Sequence, residues 1–83
     1  MAVKVQYEGH EYLVELPAYP GDTGRVFKKH PQGWKKLWPD AGTLEIYDEN
    51  LNLIHRSPAL LYGRAKSWLE EEVRAVMDLA KRA

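Results

Sequence analysis

Val3, Val5 and Tyr7 alternate with Lys4, Gln6 and Glu8, and after Gly9 the alternation resumes with Tyr12, Val14 and Leu16 set among Glu11 and Glu15. A repeat of two is the period of a β-strand, whose successive side chains point to opposite faces. A two-residue turn at Glu8-Gly9 then sets Val5 opposite Tyr12 and Val3 opposite Val14, so that both strands turn their apolar residues to one side. A chain that begins in this way has a one-sided sheet, and something must cover the apolar face.

The cover is written at the other end. Tyr62, Ala65, Leu69, Val73, Val76 and Ala80 recur at three- and four-residue steps, with Trp68 and Met77 on the same broad stripe, which is the pattern of an amphipathic helix. Ser57-Pro58 reads as its start, because the hydroxyl can cap free N–H groups and proline at the first helical position gives up a donor that had no partner. The expected helix spans about 58–82, its regular part beginning nearer Arg64 because Gly63 weakens the first turn by about 1 kcal/mol relative to alanine. Glu70 with Arg74, and Asp78 with Arg82, stand four residues apart in the favourable order on the exposed side.

Two more hairpins are expected between these ends. "LPAYPGDTG" (16–24) reads as an ordered but irregular loop. "HPQG" (30–33) suits a type I turn, with proline fixing φ at the second position and glycine leaving the exit unhindered. It joins strands within 25–38. After "PDAG" (39–42), the segment 43–56 reads as a third hairpin with a three-residue tip at 49–51, Asn50 as the candidate for positive φ, and Ile46 opposite Ile54. The predicted architecture is α+β: an antiparallel sheet built from three successive hairpins, about 2–16, 25–38 and 43–56, with one long C-terminal helix packed on it.

The 83 residues suffice for one domain, 1–83, whose small core must lean on a few large side chains such as the three Trp and five Tyr. The absence of cysteine removes disulfides, thiol nucleophiles and Cys-based metal sites, and fits a cytoplasmic protein. No basic stretch precedes an apolar block near the N-terminus, and no apolar run approaches the ~20 residues that span a bilayer. Twelve basic and twelve acidic residues cancel, which argues against nucleic-acid binding by long-range attraction alone.

The charge is unevenly placed, however. "RVFKKHPQGWKKLW" (25–38) holds Arg25, Lys28, Lys29, Lys35 and Lys36 with no acid among them. With the turn at His30-Pro31-Gln32-Gly33, Lys29 pairs with Trp34, Lys28 with Lys35, Phe27 with Lys36, Val26 with Leu37 and Arg25 with Trp38. One face then carries Val26 and Leu37 beside Lys28 and Lys35. The other gathers Phe27, Trp34 and Trp38 among Arg25, Lys29 and Lys36. Either these rings belong to the core, with cations snorkelling from its margin, or part of the face stays wet as an anchor for another macromolecule.

A hairpin containing "GW", a further strand, and a helix marked "RAKSWL" with Ala65 and Trp68 together resemble the three-stranded sheet plus helix of the arm-site DNA-binding domains of tyrosine recombinases. That resemblance, over roughly residues 25–72, would imply a sheet presented to the major groove. The acidic strand "LEIYDEN" departs from the basic character of those domains and opposes groove binding.

Catalytic signatures are missing. His10, His30 and His55 fall in different hairpins without ligand spacing, Ser57 and Ser67 sit in no nucleophile elbow, and "PGDTG" lacks the lysine of a phosphate loop. Glu70, Glu71 and Glu72 are consecutive on a helix and read as a solvated face. The sequence therefore points to a non-enzymatic interaction protein, an adaptor or inhibitor without cofactor or metal. It would dock on an acidic patch of a larger protein through Arg25, Phe27, Lys28, Lys29, Trp34, Lys35, Lys36 and Trp38. The alternative is a nucleic-acid-binding domain using the same face, with single strands or RNA preferred over duplex. An extended edge near Val3 would also allow a homodimer by strand pairing.

Overall fold

A computed structural model describes residues 2–40, 42–59 and 63–83, with helix side chains from Ser67 onward. Strands β1 (Ala2–Tyr7), β2 (His10–Glu15), β3 (Arg25–His30), β4 (Gly33–Trp38), β5 (Thr43–Tyr47) and β6 (Leu53–Pro58) precede one helix, α1 (Gly63–Arg82). The strands form a single six-stranded antiparallel sheet in chain order, the α+β fold expected from the sequence. Each strand pairs with its neighbour in sequence, so the strand contacts are made between segments adjacent along the chain.

The first hairpin has the register its alternation dictates, Val5 against Tyr12 and Val3 against Val14. Glu8 and Gly9 both take positive φ, 53° and 78°, as the tightest right-twisting hairpin turn requires. In the loop that follows, the Asp22 carboxylate accepts hydrogen bonds from the N–H groups of Ala18 (2.9 Å) and Gly24 (3.0 Å), which gives an irregular segment fixed partners. Those two N–H groups hold the Asp22 carboxyl below the usual carboxylate range.

The second hairpin turns at Pro31-Gln32, with His30 facing Gly33, and keeps the expected pairs as far as Phe27 with Lys36. There the register shifts. Val26 faces Trp38, not Leu37, because β4 carries one extra residue opposite the Val26/Phe27 step. A bulge of this kind disturbs the strict alternation, so Leu37 and Trp38 both lie on the helix side. The expected partnership of Trp38 with Phe27 and Trp34 on one face is corrected by this single residue.

A second bulge changes the third hairpin. The tip is three residues long, as the N–H of Asp48 donates to the Asn52 carbonyl (2.9 Å), and the Asp48 side chain accepts from the N–H groups of Asn50 and Asn52 (2.9 Å each). Leu51, not Asn50, takes the positive φ of 61°. Ile54 is then the extra residue, so Ile46 faces His55 and the Ile54 side chain is exposed. Strand β6 runs on through Ser57 and Pro58, with Leu44 opposite Ser57, which overturns the reading of Ser57 as a helix cap.

The helix covers β1 to β4 on one side of the sheet. Val5, Tyr12, Val14, Val26 and Leu37 meet Val73, Val76 and Ala80 there, all buried. Leu69 and Met77 pack at the edge of this core as the stripe implied, but Trp68 is 60% exposed and does not belong to it. Tyr62 and the side chain of Ala65 lie outside the described residues. Phe27, Trp34 and Tyr47 make a second buried cluster on the opposite side of the sheet, flanked by Leu13 and Leu51. Thus the side without a helix has a core of its own.

Candidate functional site

The basic, aromatic hairpin is divided by the sheet between two environments. On the helix-free side Phe27 is 0% and Trp34 3% exposed, so neither ring is available as a surface anchor. Phe27 meets Tyr47 edge-on, with centroids 5.3 Å apart and planes at 81°. The Arg25 guanidinium lies 5.2 Å from the Phe27 centroid and 5.7 Å from that of Tyr47, and its Nε donates to Glu15. The Lys29 ammonium stands 4.8 Å from the Trp34 centroid and donates to Glu49 Oε1 at 2.6 Å. Cations thus roof the second cluster, and their stems and charges complete its burial.

Lys36 and Glu45 form the most enclosed ion pair in the described residues, with Nζ 2.9 Å from Oε1 and side chains 11% and 7% exposed. Tyr47 donates its hydroxyl proton to the same oxygen (2.6 Å), while Arg56 Nε lies 3.7 Å from the other. The Tyr47 hydrogen bond and then the Lys36 contact hold the Glu45 carboxyl below the usual glutamate range, outweighing burial. A depressed folded-state value means that stability is fully present above the unfolded value and is lost as pH falls through the folded one. Thermal stability is therefore expected to fall as pH drops below about 4.3, the ordinary glutamate value. In Glu45→Gln that acid-side slope should be shallower in a Tm-against-pH series, and the variant should lose about 1–3 kcal/mol at neutral pH because Lys36 is left without its counter-charge. An unchanged slope would remove Glu45 from the acid response.

On the helix side, Lys28 donates to Glu72 Oε2 at 3.0 Å, and the Tyr12 hydroxyl donates to the same carboxylate. Burial, then the Glu72 hydrogen bond, push the Tyr12 hydroxyl far above the usual tyrosine range. Glu72 is thereby a packing partner, which corrects the reading of all three consecutive glutamates as a solvated face; Glu70 and Glu71 do remain exposed. Lys35 faces Lys28 across the ladder, as the register implied, and is exposed.

Of the five hairpin cations, Arg25, Lys28, Lys29 and Lys36 are thus ion-paired with acids from other segments. Lys35 makes no ion pair among the described residues. The acids come from β2, β5, the third hairpin tip and α1, too far along the chain for a local reading to assign them. The like-charge cost of Lys28 opposite Lys35 is relieved internally by Glu72.

Trp38 is the hairpin aromatic with a different fate. Carried to the helix side by the bulge, it is half-buried against the core and lines a groove of about 360 Å³ with Val73 and Met77, rimmed by Glu70, Arg74, Asp78 and Lys81. Sequence reasoning named Trp38 but not this setting, since nothing in the residue pattern announces the bulge. No group of His, Asp and Glu suited to hold a metal ion occurs among the described residues, and no helix among them is long and apolar enough to cross a membrane.

The fold so defined is a six-stranded antiparallel meander with a single C-terminal helix across one face. No family model matches the chain, and neither does any curated protein or solved structure.

Proposed function

We propose that this chain is a non-enzymatic interaction protein, an adaptor or inhibitor, that docks on a larger protein through the groove between the end of β4 and α1. The observation that carries this reading is Trp38: it is the one hairpin tryptophan left half open, and it sits on an apolar floor with Val73 and Met77 inside a ring of four charged side chains. An aromatic side chain at the centre of a recess with a polar rim has the composition of a binding hot spot. The occupant is a protein segment with one large apolar side chain against Trp38, carboxylates meeting Arg74 and Lys81, and a base meeting Glu70 or Asp78. Lys35 lies on the same side of the sheet and adds long-range attraction for an acidic partner.

The internal pairing of Arg25, Lys28, Lys29 and Lys36 favours this reading over nucleic-acid binding, because a cation held by a glutamate must give up that partner before it can neutralise a phosphate. Selection from a displayed random-peptide library tests the proposal. Peptides enriched on the wild-type protein should share an apolar anchor with an acidic flank, and Trp38→Ala should weaken them by about 30-fold or more, corresponding to ~2 kcal/mol for a hot-spot residue. Peptides indifferent to Trp38→Ala, or no enrichment at all, would remove the groove as the docking site.

A further inference from the structure

We infer that the free chain closes the Trp38 groove against a second copy of itself, in a two-fold dimer whose α1 helices run antiparallel along that flank. Glu70, Arg74, Asp78 and Lys81 rim the groove and follow one another at three- and four-residue steps, so they share one side of the helix. Their signs alternate: acid, base, acid, base. Read from the other end, the order is base, acid, base, acid. An antiparallel copy therefore sets Glu70 beside Lys81 of the second copy and Arg74 beside Asp78 of the second copy, and the symmetry makes each contact twice. Parallel helices in register, as a two-fold axis along them requires, would set like beside like. The ladder selects one orientation.

All four rim side chains are exposed, and none makes an ion pair with the described residues. On the second hairpin, by contrast, Glu15, Glu72, Glu49 and Glu45 answer Arg25, Lys28, Lys29 and Lys36 inside the same chain. Between the rim charges the groove is apolar. Val73 is its buried floor, while Met77 and Trp38 are half-buried, so a second copy takes further apolar surface out of water. Val73 and Met77 lie to either side of the midpoint of the ladder, which brings the two apolar floors together at the dimer axis. The second copy thus supplies what the groove asks of any occupant: acids for Arg74 and Lys81, bases for Glu70 and Asp78, and a large apolar side chain. A partner protein must then displace it, a consequence that rests on the reading of the groove as a docking site; the dimer itself does not.

Sedimentation equilibrium of the full chain, with no peptide present, tests the dimer. The average mass should rise from that of one chain towards twice that value as the concentration goes from about 5 to about 500 μM, for a dissociation constant on the order of 50 μM. Exposed ion pairs contribute little each, which keeps the association weak. Glu70→Lys and Lys81→Glu each turn both symmetric copies of one contact from attraction to repulsion, so each should weaken its own dimer at least about ten-fold. At exposed positions neither should alter the circular dichroism spectrum. Mixed in equal amounts, the two variants restore opposite charges at both copies of the contact, and a heterodimer should form with an affinity close to that of the wild type. A wild-type chain that stays monomeric to about 500 μM would overturn the proposal. So would a dimer that both single variants leave intact, as one built by strand pairing at β1 would be, or a mixture that stays monomeric. These readings are of mass alone, so a missing dimer leaves the peptide selection standing, and a failed selection leaves the dimer standing.

Discussion

Replacing Phe27 by alanine is expected to cost about 3–5 kcal/mol, the range for truncating a fully buried phenylalanine. The total stability expected for a domain of this length is only roughly 4–12 kcal/mol. Phe27 is completely buried although no helix covers its side of the sheet. Its enclosure comes from Trp34 and Tyr47, from Leu13 and Leu51, and from the Arg25 guanidinium laid over its ring. The cavity left by Phe27→Ala would remove the ring that Tyr47 meets edge-on and the surface on which Arg25 rests. Chemical denaturation should show the loss as a lower midpoint, and Trp34→Ala should behave similarly. Tyr19→Ala, at a side chain 67% exposed, should stay within about 0.5 kcal/mol of wild type. A cost below about 1 kcal/mol for both Phe27→Ala and Trp34→Ala would contradict their place in a core. It would return the helix-free side of the hairpin to consideration as a docking face.

Gly33→Ala is expected to be nearly as damaging, by a different mechanism. Gly33 opens β4 with φ of 145°, a conformation that side chains with a Cβ rarely adopt. A Cβ there would stand 2.0 Å from the carbonyl oxygen of Tyr47 and 3.0 Å from its carbonyl carbon, contacts that force the backbone of β5 to move. That movement has little to resist it. The β4–β5 ladder consists of Trp34 with Tyr47 and Lys35 with Ile46, so displacing the Tyr47 carbonyl disturbs half the pairing and one ring of the second cluster. Strain at the dihedral and overpacking at the contact each cost about 1–3 kcal/mol, so a combined loss of about 3–5 kcal/mol is expected. At roughly 4–8 °C per kcal/mol for a domain of this size, the Tm should drop by about 12–40 °C. Gly9→Ala is the control. Gly9 also has positive φ, 78°, but an added Cβ would meet nothing within 4 Å, so the cost there should be only about 1 kcal/mol. If the two variants lost equal stability, the close approach of β5 would play no part.

These two positions also mark how far the residue pattern can be read. Gly33 was legible as the exit of a turn, and its turn is where the sequence placed it. Its deeper constraint, the Tyr47 carbonyl, belongs to a strand fourteen residues away and has no local sign. Phe27 and Trp34 were legible as sharing a face, and they do share one. Whether that face was wet depended on Tyr47 and Leu51 folding over it. Leu51 does so while holding a positive φ that local preference would have assigned to Asn50. The apolar contact offsets a backbone cost of about 1–3 kcal/mol for a residue in the left-handed region.

The candidate site was less visible than the fold. Trp38 was expected to be an anchor, but its neighbours Val73 and Met77 were read only as helix stripe, and Trp68 was assigned to that stripe although it is 60% exposed. The cations of the second hairpin were correctly located on their strands, yet their charge is largely answered by Glu15, Glu45, Glu49 and Glu72. A count of unopposed lysines in a segment says nothing about acids that arrive from elsewhere in the fold.

Alternation of period two, turn residues and a stripe of three- and four-residue steps were enough to specify three hairpins and a covering helix, because each of these signals acts between residues close along the chain. The tertiary structure decided which side of the sheet each tryptophan joins, where β6 ends and which charges stand open to a partner. Those outcomes turn on two bulges and on ion pairs across distant segments. A one-residue slip reverses a side chain's face at almost no local cost, so only the packing of the whole sheet against its neighbours can select it.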